Sequence, residues 1–174
     1  DFPENPRSHI LLADYYKAQG VPSLAIEEYE IAKQKDPDYV PAYASLAELK
    51  YEEGLETREA ETLQEGLENA NKAIELNPNF APAYRIRGEL WLLAKEYQRA
   101  RDDLQKYVEL TDSDLGARIR YASFLFLSEN YQEAIDEIEA IEQDTLTNVM
   151  LRLKSMSLNQ LDRSEEAKQA MDKY

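Results

Sequence analysis

The stretches DPDYVPAY at residues 36–43 and NPNFAPAY at residues 77–84 repeat one arrangement of residue types. Each opens with an Xaa-Pro turn signal, Asp36-Pro37 or Asn77-Pro78, and each ends in Pro-Ala-Tyr. Stretches with helical periodicity lie between these signals, and no strand-like alternation competes with them. The chain therefore contains an internal repeat, which has to be recognised before domains or sites are assigned.

Small residues recur at matching points of the helical stretches, where one helix must let another approach closely. On the first helix of each successive pair they are Ala13, Ala47, Gly88, Ala122 and Ser155. On the second helix they are Ala25, Gly66, Ala100, Ala134 and Ala167. This recurrence predicts paired helices that pack in the same way along the chain.

The recurrent positions resemble the tetratricopeptide repeat family, whose unit of about 34 residues ends with a proline. In the first repeat the matching residues are Leu12, Ala13 and Tyr16, then Ala25, Tyr29 and Ala32, and finally Pro37. His9 departs from the pattern because it stands where a large aromatic residue is usual; we interpret it as a packing or capping residue. The later repeats keep the same phase, so the resemblance extends over nearly the whole chain.

The resemblance implies an all-α fold, an α-solenoid of antiparallel helix pairs that form a right-handed superhelix. We expect a single array over residues 1–174, with about five repeats at 6–39, 40–80, 81–114, 115–147 and 148–174. The second repeat fits only with seven extra residues. Because seven residues make about two helical turns, we expect an extension around 55–65 to lengthen its second helix. Gly54 is predicted to lie at a helix break.

Composition excludes several classes of function. The 174 residues include 35 acidic and 20 basic side chains, so the formal net charge of −15 argues against a nucleic-acid partner bound by bulk charge. The absence of cysteine removes disulfides, thiolate zinc sites and cysteine nucleophiles. No known catalytic or phosphate-binding motif occurs, and His9 is the one histidine, so we expect no enzyme activity, no cofactor and no metal site.

The longest apolar runs, such as Leu90 to Ala94, are too short for a transmembrane span, so we expect no direct insertion into a membrane. Compartment stays open, because a chain without cysteine is compatible with both bacterial cytoplasm and periplasm.

Charge is distributed unevenly between the predicted helices. The first helices of the last three repeats, residues 82–94, 115–127 and 148–160, contain six basic residues and one acid, Glu89. The basic residues are Arg85, Arg87, Arg118, Arg120, Arg152 and Lys154. Residues 129–142, around the second helix of the fourth repeat, contain six acids and no cation. In the family the first helices line a concave groove, so the resemblance implies a basic groove with acidic outer helices.

The family's groove-facing positions correspond here to Arg85, Glu89, Leu92, Ile119, Ser123, Phe126, Arg152, Met156 and Asn159, with Arg120 beside them. Such a surface would attract an acidic or C-terminal peptide, whose carboxylates arginine can bind in a bidentate manner. The alternative is that some of the cations extend from packing positions and pair with carboxylates on neighbouring helices. This alternative applies most strongly to Arg87, Arg118 and Lys154.

A subfamily of these repeats binds the C-terminal carboxylate of heat-shock chaperones with lysine and asparagine at fixed points of three successive repeats. Over repeats one to three those points hold Ile10, Asp14, Ser45, Pro82 and Ile86. Over repeats three to five they hold Arg85, Glu89, Arg120, Val149 and Leu153. Neither set reproduces the lysine and asparagine pattern, so that function is not carried over.

The principal hypothesis is a non-enzymatic scaffold that binds a segment of another protein in the groove, with acidic segments favoured. An alternative is a structural segment of a longer array, or a module that forms homo-oligomers through its repeat ends. The alternative depends on the last repeat, where no polar helix is evident to cover Leu151, Leu158 and Met171.

Overall fold

The computed structural model describes residues 5–111, 114–141 and 146–171. These residues form ten α-helices and no β-strand. The helices are α1 Pro6–Ala18, α2 Pro22–Lys35, α3 Val40–Thr57, α4 Ala60–Leu76, α5 Ala81–Leu93, α6 Tyr97–Thr111, α7 Leu115–Leu127, α8 Tyr131–Glu139, α9 Asn148–Gln160 and α10 Ser164–Met171. The predicted all-α class of successive helix pairs is confirmed. None of these helices has both the length and the apolar character needed to cross a membrane.

The two quoted stretches form turns that are held by their own side chains. Pro41 and Pro82 lie in the first turns of α3 and α5, where a missing N–H costs no intrahelical hydrogen bond. The Tyr43 hydroxyl donates to the Pro37 carbonyl at 2.8 Å, and Tyr84 donates to the Pro78 carbonyl at 3.1 Å. The repeated tyrosine therefore fixes the chain direction between one helix pair and the next.

The turn inside a pair also recurs, and it requires a left-handed residue. Positive φ values occur at Gly20 (72°), Lys95 (61°), Glu129 (64°) and Asp162 (59°), each just after a first helix. The N–H that follows returns to a carbonyl five residues earlier, as from Glu96 to Trp91 at 2.8 Å. This is the closure typical of a helix that ends in a left-handed residue. Because this turn geometry recurs along the chain, the two helices of successive pairs are joined in the same way.

The extra residues of the second repeat lengthen both of its helices. α3 contains 18 residues against 13 in α1 and α5, and α4 contains 17 against 14 in α2. The second helix is thus longer, as expected, but α3 also takes part of the extension, and the turn lies at Arg58 with φ 55°. The predicted break at Gly54 is wrong: this glycine is buried inside α3, where an added Cβ would lie 2.6 Å from Leu63 Cδ2.

The described residues divide into two compact units, 1–103 and 104–174, with the boundary inside α6. In the first unit, core clusters form around Tyr29 and Leu46 and around Leu67 and Leu90. In the second unit, clusters form around Ile138 and Met150 and around Ile135 and Leu158. The small residues Ala13, Ala25, Ala47, Ala100, Ala122 and Ala134 are fully buried, as predicted for close helix packing. The array boundary predicted at Tyr174 lies outside the described residues.

Candidate functional site

In the first unit, the first helices are joined by a chain of ion pairs centred on Glu48 of α3. Lys17 of α1 contacts Glu48 and Glu52 at 3.0 Å each. Arg85 of α5 contacts the other Glu48 oxygen at 2.6 Å and Glu89 at 3.4 Å. Arg85, predicted as a groove cation, is therefore already bound by two carboxylates, and Glu89 is buried beneath it.

Glu48 and Lys17 each favour the charged form of the other. Burial alone would raise the pKa of Glu48, but hydrogen bonds from Arg85 and Lys17 hold that pKa below its ordinary value. Burial alone would lower the pKa of Lys17, but Glu48 and Glu52 raise it. A cavity of about 120 Å³ between α3 and α5 is lined by Glu48 and Arg85, and it offers space only for a few waters or one small side chain.

Three of the six basic residues pack against second helices. Arg87 donates two hydrogen bonds to Asp103 at 2.6 and 2.7 Å. Arg118 contacts Glu137 at 2.9 Å, and Lys154 contacts Glu139 at 2.6 Å. Arg87, Arg118 and Lys154 thus pair with carboxylates on neighbouring helices, as the alternative predicts, and none of the three is among the predicted groove-facing positions.

These pairs differ in how well they offset the cost of burying charge. Burial raises the pKa of Glu137, and Arg118 opposes this shift only in part. His9 forms a comparable link in the first unit, with Nδ1 at 2.6 Å from Glu28 of α2. The predicted packing role of His9 therefore agrees with its contacts.

In the second unit, α7 packs against α9, and neither helix contains an acidic residue. Arg120 and Arg152 are exposed, unlike Arg118 and Lys154 on the same two helices. This pair of helices thus exposes two arginines, of which Arg152 has no ion pair among the described residues.

The apolar residues predicted for this surface are exposed to different extents. Ile119 and Phe126 are half-buried and pack against the core cluster of Ala122, Ile138, Met150 and Leu153. Phe126 also meets the Tyr131 ring edge-on at 5.5 Å. Ser123 is satisfied locally, because its hydroxyl donates to the Ile119 carbonyl at 2.7 Å. The predicted residues of α7 are therefore only partly accessible to a partner.

The more exposed residues of this surface lie on α9. Val149, Arg152, Met156 and Asn159 are all exposed, and their spacing of three, four and three residues places them on one helix face. We call these four residues the α9 stripe. Arg152, Met156 and Asn159 were predicted for the groove, whereas Val149 was missed; its position three residues before Arg152 was the available signal. Leu92, also predicted, is half-buried on α5 in the first unit.

Comparison with known proteins identifies the repeat. A family model for the tetratricopeptide repeat matches residues 51–114. The Hsp70-Hsp90 organizing protein 3 of Arabidopsis thaliana is 33% identical over 92 residues, which are 53% of this chain. The corresponding protein of Triticum aestivum is 30% identical over 92 residues. This chain spans only about 15% of the length of these relatives.

Solved structures share the fold at low identity. The MamA protein matches with a TM-score of 0.77 and 19% identity, over 97% of this chain and 88% of that one. YrrB, described as a TPR protein with an unusual peptide-binding site, matches with a TM-score of 0.74 and 20% identity, over 98% and 84% of the two chains. Residues 51–114 thus match the tetratricopeptide repeat, and the solved structures show that nearly the whole chain shares their helical fold.

Proposed function

We propose that the second compact unit binds a segment of another protein along α7 and α9, and that this segment carries acidic residues. The match of residues 51–114 to the tetratricopeptide repeat supports this proposal, because proteins with this repeat mediate protein–protein interactions. The observation that carries the finer proposal is the α9 stripe, in which exposed Val149 and Met156 flank Arg152.

Apolar contacts supply most of the affinity in this proposal. Exposed ion pairs contribute only about 0.2–1 kcal/mol each. Burying the exposed part of Val149 or Met156 against a partner contributes more, up to roughly 1.5–3 kcal/mol for a whole side chain. Phe126 adds a half-buried apolar contact, so we expect roughly micromolar binding, which corresponds to a binding free energy of about −8 kcal/mol.

Charge selects the partner. The protein has a formal net charge of −15, yet α7 and α9 together contain four basic residues and no acid. Arg118 and Lys154 are held by second-helix carboxylates, so Arg120 and Arg152 are the cations that face solvent. A guanidinium group binds a carboxylate in a bidentate manner, which favours aspartate, glutamate or a chain terminus on the partner.

The proposal involves no catalytic chemistry, and it disfavours nucleic acid. Phosphate would meet the same two arginines, but the remaining surface of a strongly acidic protein repels a long polyanion. Arg85, Glu89 and Leu92 belong to the first unit, and the Glu48 network already occupies Arg85. The proposed site is therefore the second-unit set, Ile119, Arg120, Ser123, Phe126, Arg152, Met156 and Asn159, extended by Val149.

Fluorescence anisotropy tests the proposal with two labelled peptides, one alternating glutamate with leucine and one alternating lysine with leucine. We expect the glutamate peptide to bind and the lysine peptide to bind at least about tenfold more weakly. A labelled oligonucleotide should not bind. Rising salt should weaken the glutamate complex, because exposed charges are screened.

Two substitutions in the α9 stripe locate the site. Arg152→Glu and Met156→Glu should each reduce affinity for the glutamate peptide by about tenfold or more. Lys106→Glu is the matched control, because the Lys106 side chain on α6 is partly exposed and the substitution changes charge by the same amount as Arg152→Glu. Equal affinity in Arg152→Glu and Lys106→Glu would refute the proposed site and leave the fold assignment intact.

A further inference from the structure

α1 exposes large apolar residues at two positions where several other first helices bear buried apolar side chains. Counting from the small residue of each first helix, the position two residues later holds Leu49, Leu90 and Phe124, which are at most 5% exposed. In α1 the same position holds Tyr15, which is 58% exposed. The position two residues before the small residue is less uniform: Ile86 and Leu153 are at most 9% exposed, whereas Leu11 is 70% exposed. The polar residues at this position, Ser45 and Arg120, are half-buried and exposed.

The buried counterparts show what normally covers these positions. Ile86 and Leu90 of α5 pack in one cluster with Leu67 and Ala70 of the preceding helix α4. Met150 and Leu153 of α9 pack with Ile138 of the preceding helix α8. These positions therefore form the junction between one helix pair and the next. We call Leu11 and Tyr15 of α1 the head face; within the described residues no helix pair precedes it.

The opposite half of this junction is uncovered at the last described helix. Four residues after the small residue of each second helix stand Tyr29, Ala70, Leu104 and Ile138, which are at most 1% exposed. In α10 the same position holds Met171, which is 39% exposed. We call Met171 and the surface around it on α10 the tail face.

We propose that the head face of one copy docks on the tail face of a second copy, in the register that successive helix pairs use within the chain. The two faces are the two halves of one type of junction, and both lie on this chain. A second copy can therefore cover either face with the same type of contact that joins successive helix pairs within the chain. Because the two faces differ, the contact is heterologous, and it can extend beyond a dimer.

Electrostatics makes this association weak at low salt. Each copy has a formal net charge of −15, so two copies repel one another. Salt screens that repulsion, and the apolar contact is not weakened by it. Self-association should therefore increase with salt, which is the reverse of the salt dependence expected for an acidic peptide on the α9 stripe.

Sedimentation velocity of the full chain tests the proposal over a range of protein concentration at low salt and at about 0.5 M salt. We expect the weight-average mass to rise with concentration, and to rise further at high salt. Leu11→Glu and Met171→Glu should each abolish this rise. Tyr15→Glu is a second head variant, and Leu55→Glu is the matched control, because Leu55 is exposed on α3 and belongs to neither face.

Mixing the two variants distinguishes a head-to-tail contact from other arrangements. Leu11→Glu retains an intact tail face and Met171→Glu retains an intact head face, so an equal mixture should form a dimer and nothing larger. Circular dichroism verifies that each variant keeps its helices, as expected for exposed positions. A wild-type chain that stays monomeric at high salt refutes the proposal.

An alternative arrangement gives a different result. If Met171→Glu still self-associates as the wild type does, two head faces pair with each other and the proposed register is wrong. If Leu11→Glu and Leu55→Glu reduce the mass equally, added charge alone explains the loss and the proposal fails. Neither outcome alters the peptide-binding proposal, whose test uses Arg152 and Met156.

Discussion

At the scale of single residues, two glycines show how closely the helices of the second repeat approach. A Cβ at Gly66 of α4 would lie 3.0 and 3.1 Å from the two methyl carbons of Leu90 and 3.2 Å from Lys50 Cβ. Leu90 is fully buried, and Lys50 Cβ is fixed by the α3 backbone, so neither can move away easily. A Cβ at Gly54 would meet Leu63 Cδ2, the end of a half-buried side chain that can rotate.

Gly66→Ala should therefore destabilise the protein, and Gly54→Ala should do so much less. Alanine gains about 1 kcal/mol of helix propensity over glycine at both positions. Overpacking costs about 1–3 kcal/mol where neighbours cannot yield, so Gly66→Ala should lose stability overall. Urea denaturation of both variants measures the difference. A Gly66→Ala variant more stable than Gly54→Ala would contradict this account of the packing.

Residue types predicted the packing better than they predicted the pairing of charges. The small residues were recognisable because close helix contact excludes larger side chains at fixed points. The partner of Arg87, by contrast, is Asp103, sixteen residues away on another helix. Both arginine and aspartate are common on exposed helix faces, so their types give no signal of this contact. Only the positions of the helices bring the two groups together.

At the scale of helices, Glu48 and Glu137 should respond to pH in opposite directions. Contacts with Arg85 and Lys17 keep the folded-state pKa of Glu48 below its ordinary value of 4.5. Ionised Glu48 therefore stabilises the fold above that pH, and the stabilisation is lost as pH falls through the folded-state pKa. Burial raises the pKa of Glu137, so the fold favours its protonated form, and stability from this group is lost as pH rises through the raised pKa.

Glu48→Gln and Glu137→Gln separate these two effects. The stability advantage of the wild type over Glu48→Gln should shrink as pH falls below about 4.5. Relative to Glu137→Gln, the wild type should instead lose stability as pH rises from about 4.5 toward neutrality. Urea denaturation at a series of pH values gives both slopes. Slopes of the same sign for the two variants would contradict the assigned environments.

The longer second repeat marks what a periodic pattern can and cannot predict. Seven residues make about two helical turns, so adding them to either helix keeps its buried face in phase. The helical periodicity therefore predicted how many residues are added, but not which helix contains them. The turn itself lies at Arg58, a left-handed residue without glycine or asparagine to signal it. Gly54 instead led to a wrong prediction of a helix break. In sequence, a glycine that allows close packing inside a helix cannot be distinguished from one that ends a helix.

At the scale of the whole molecule, the fold was predictable, and the residues of the proposed binding surface were predictable only in part. Five repeats in one phase determine the helix pairs, because each pair reuses the same buried positions. The sequence also placed Arg152, Met156 and Asn159 on one face of a first helix. It could not separate Arg152 from Lys154, since that distinction depends on whether Glu139 of α8 lies within reach.

Local stability should also vary along the molecule. α3 and α4 contain 18 and 17 residues, whereas α8 and α10 contain 9 and 8. α10 buries only Ala167 and Ala170, whose small side chains remove little apolar surface from water. Helices with few buried apolar contacts open locally at low cost, so their amides exchange quickly with solvent.

Hydrogen exchange followed by mass spectrometry should therefore show the fastest exchange in α10 and the slowest in α3 and α4. We expect protection to differ by at least about a hundredfold, or roughly 2.7 kcal/mol of opening free energy. If copies join through the tail face, protection of α10 should rise with protein concentration at high salt, while protection of α3 and α4 stays constant. Uniform protection across the ten helices would mean that the chain opens only as a whole, so that helix length and burial do not set local stability.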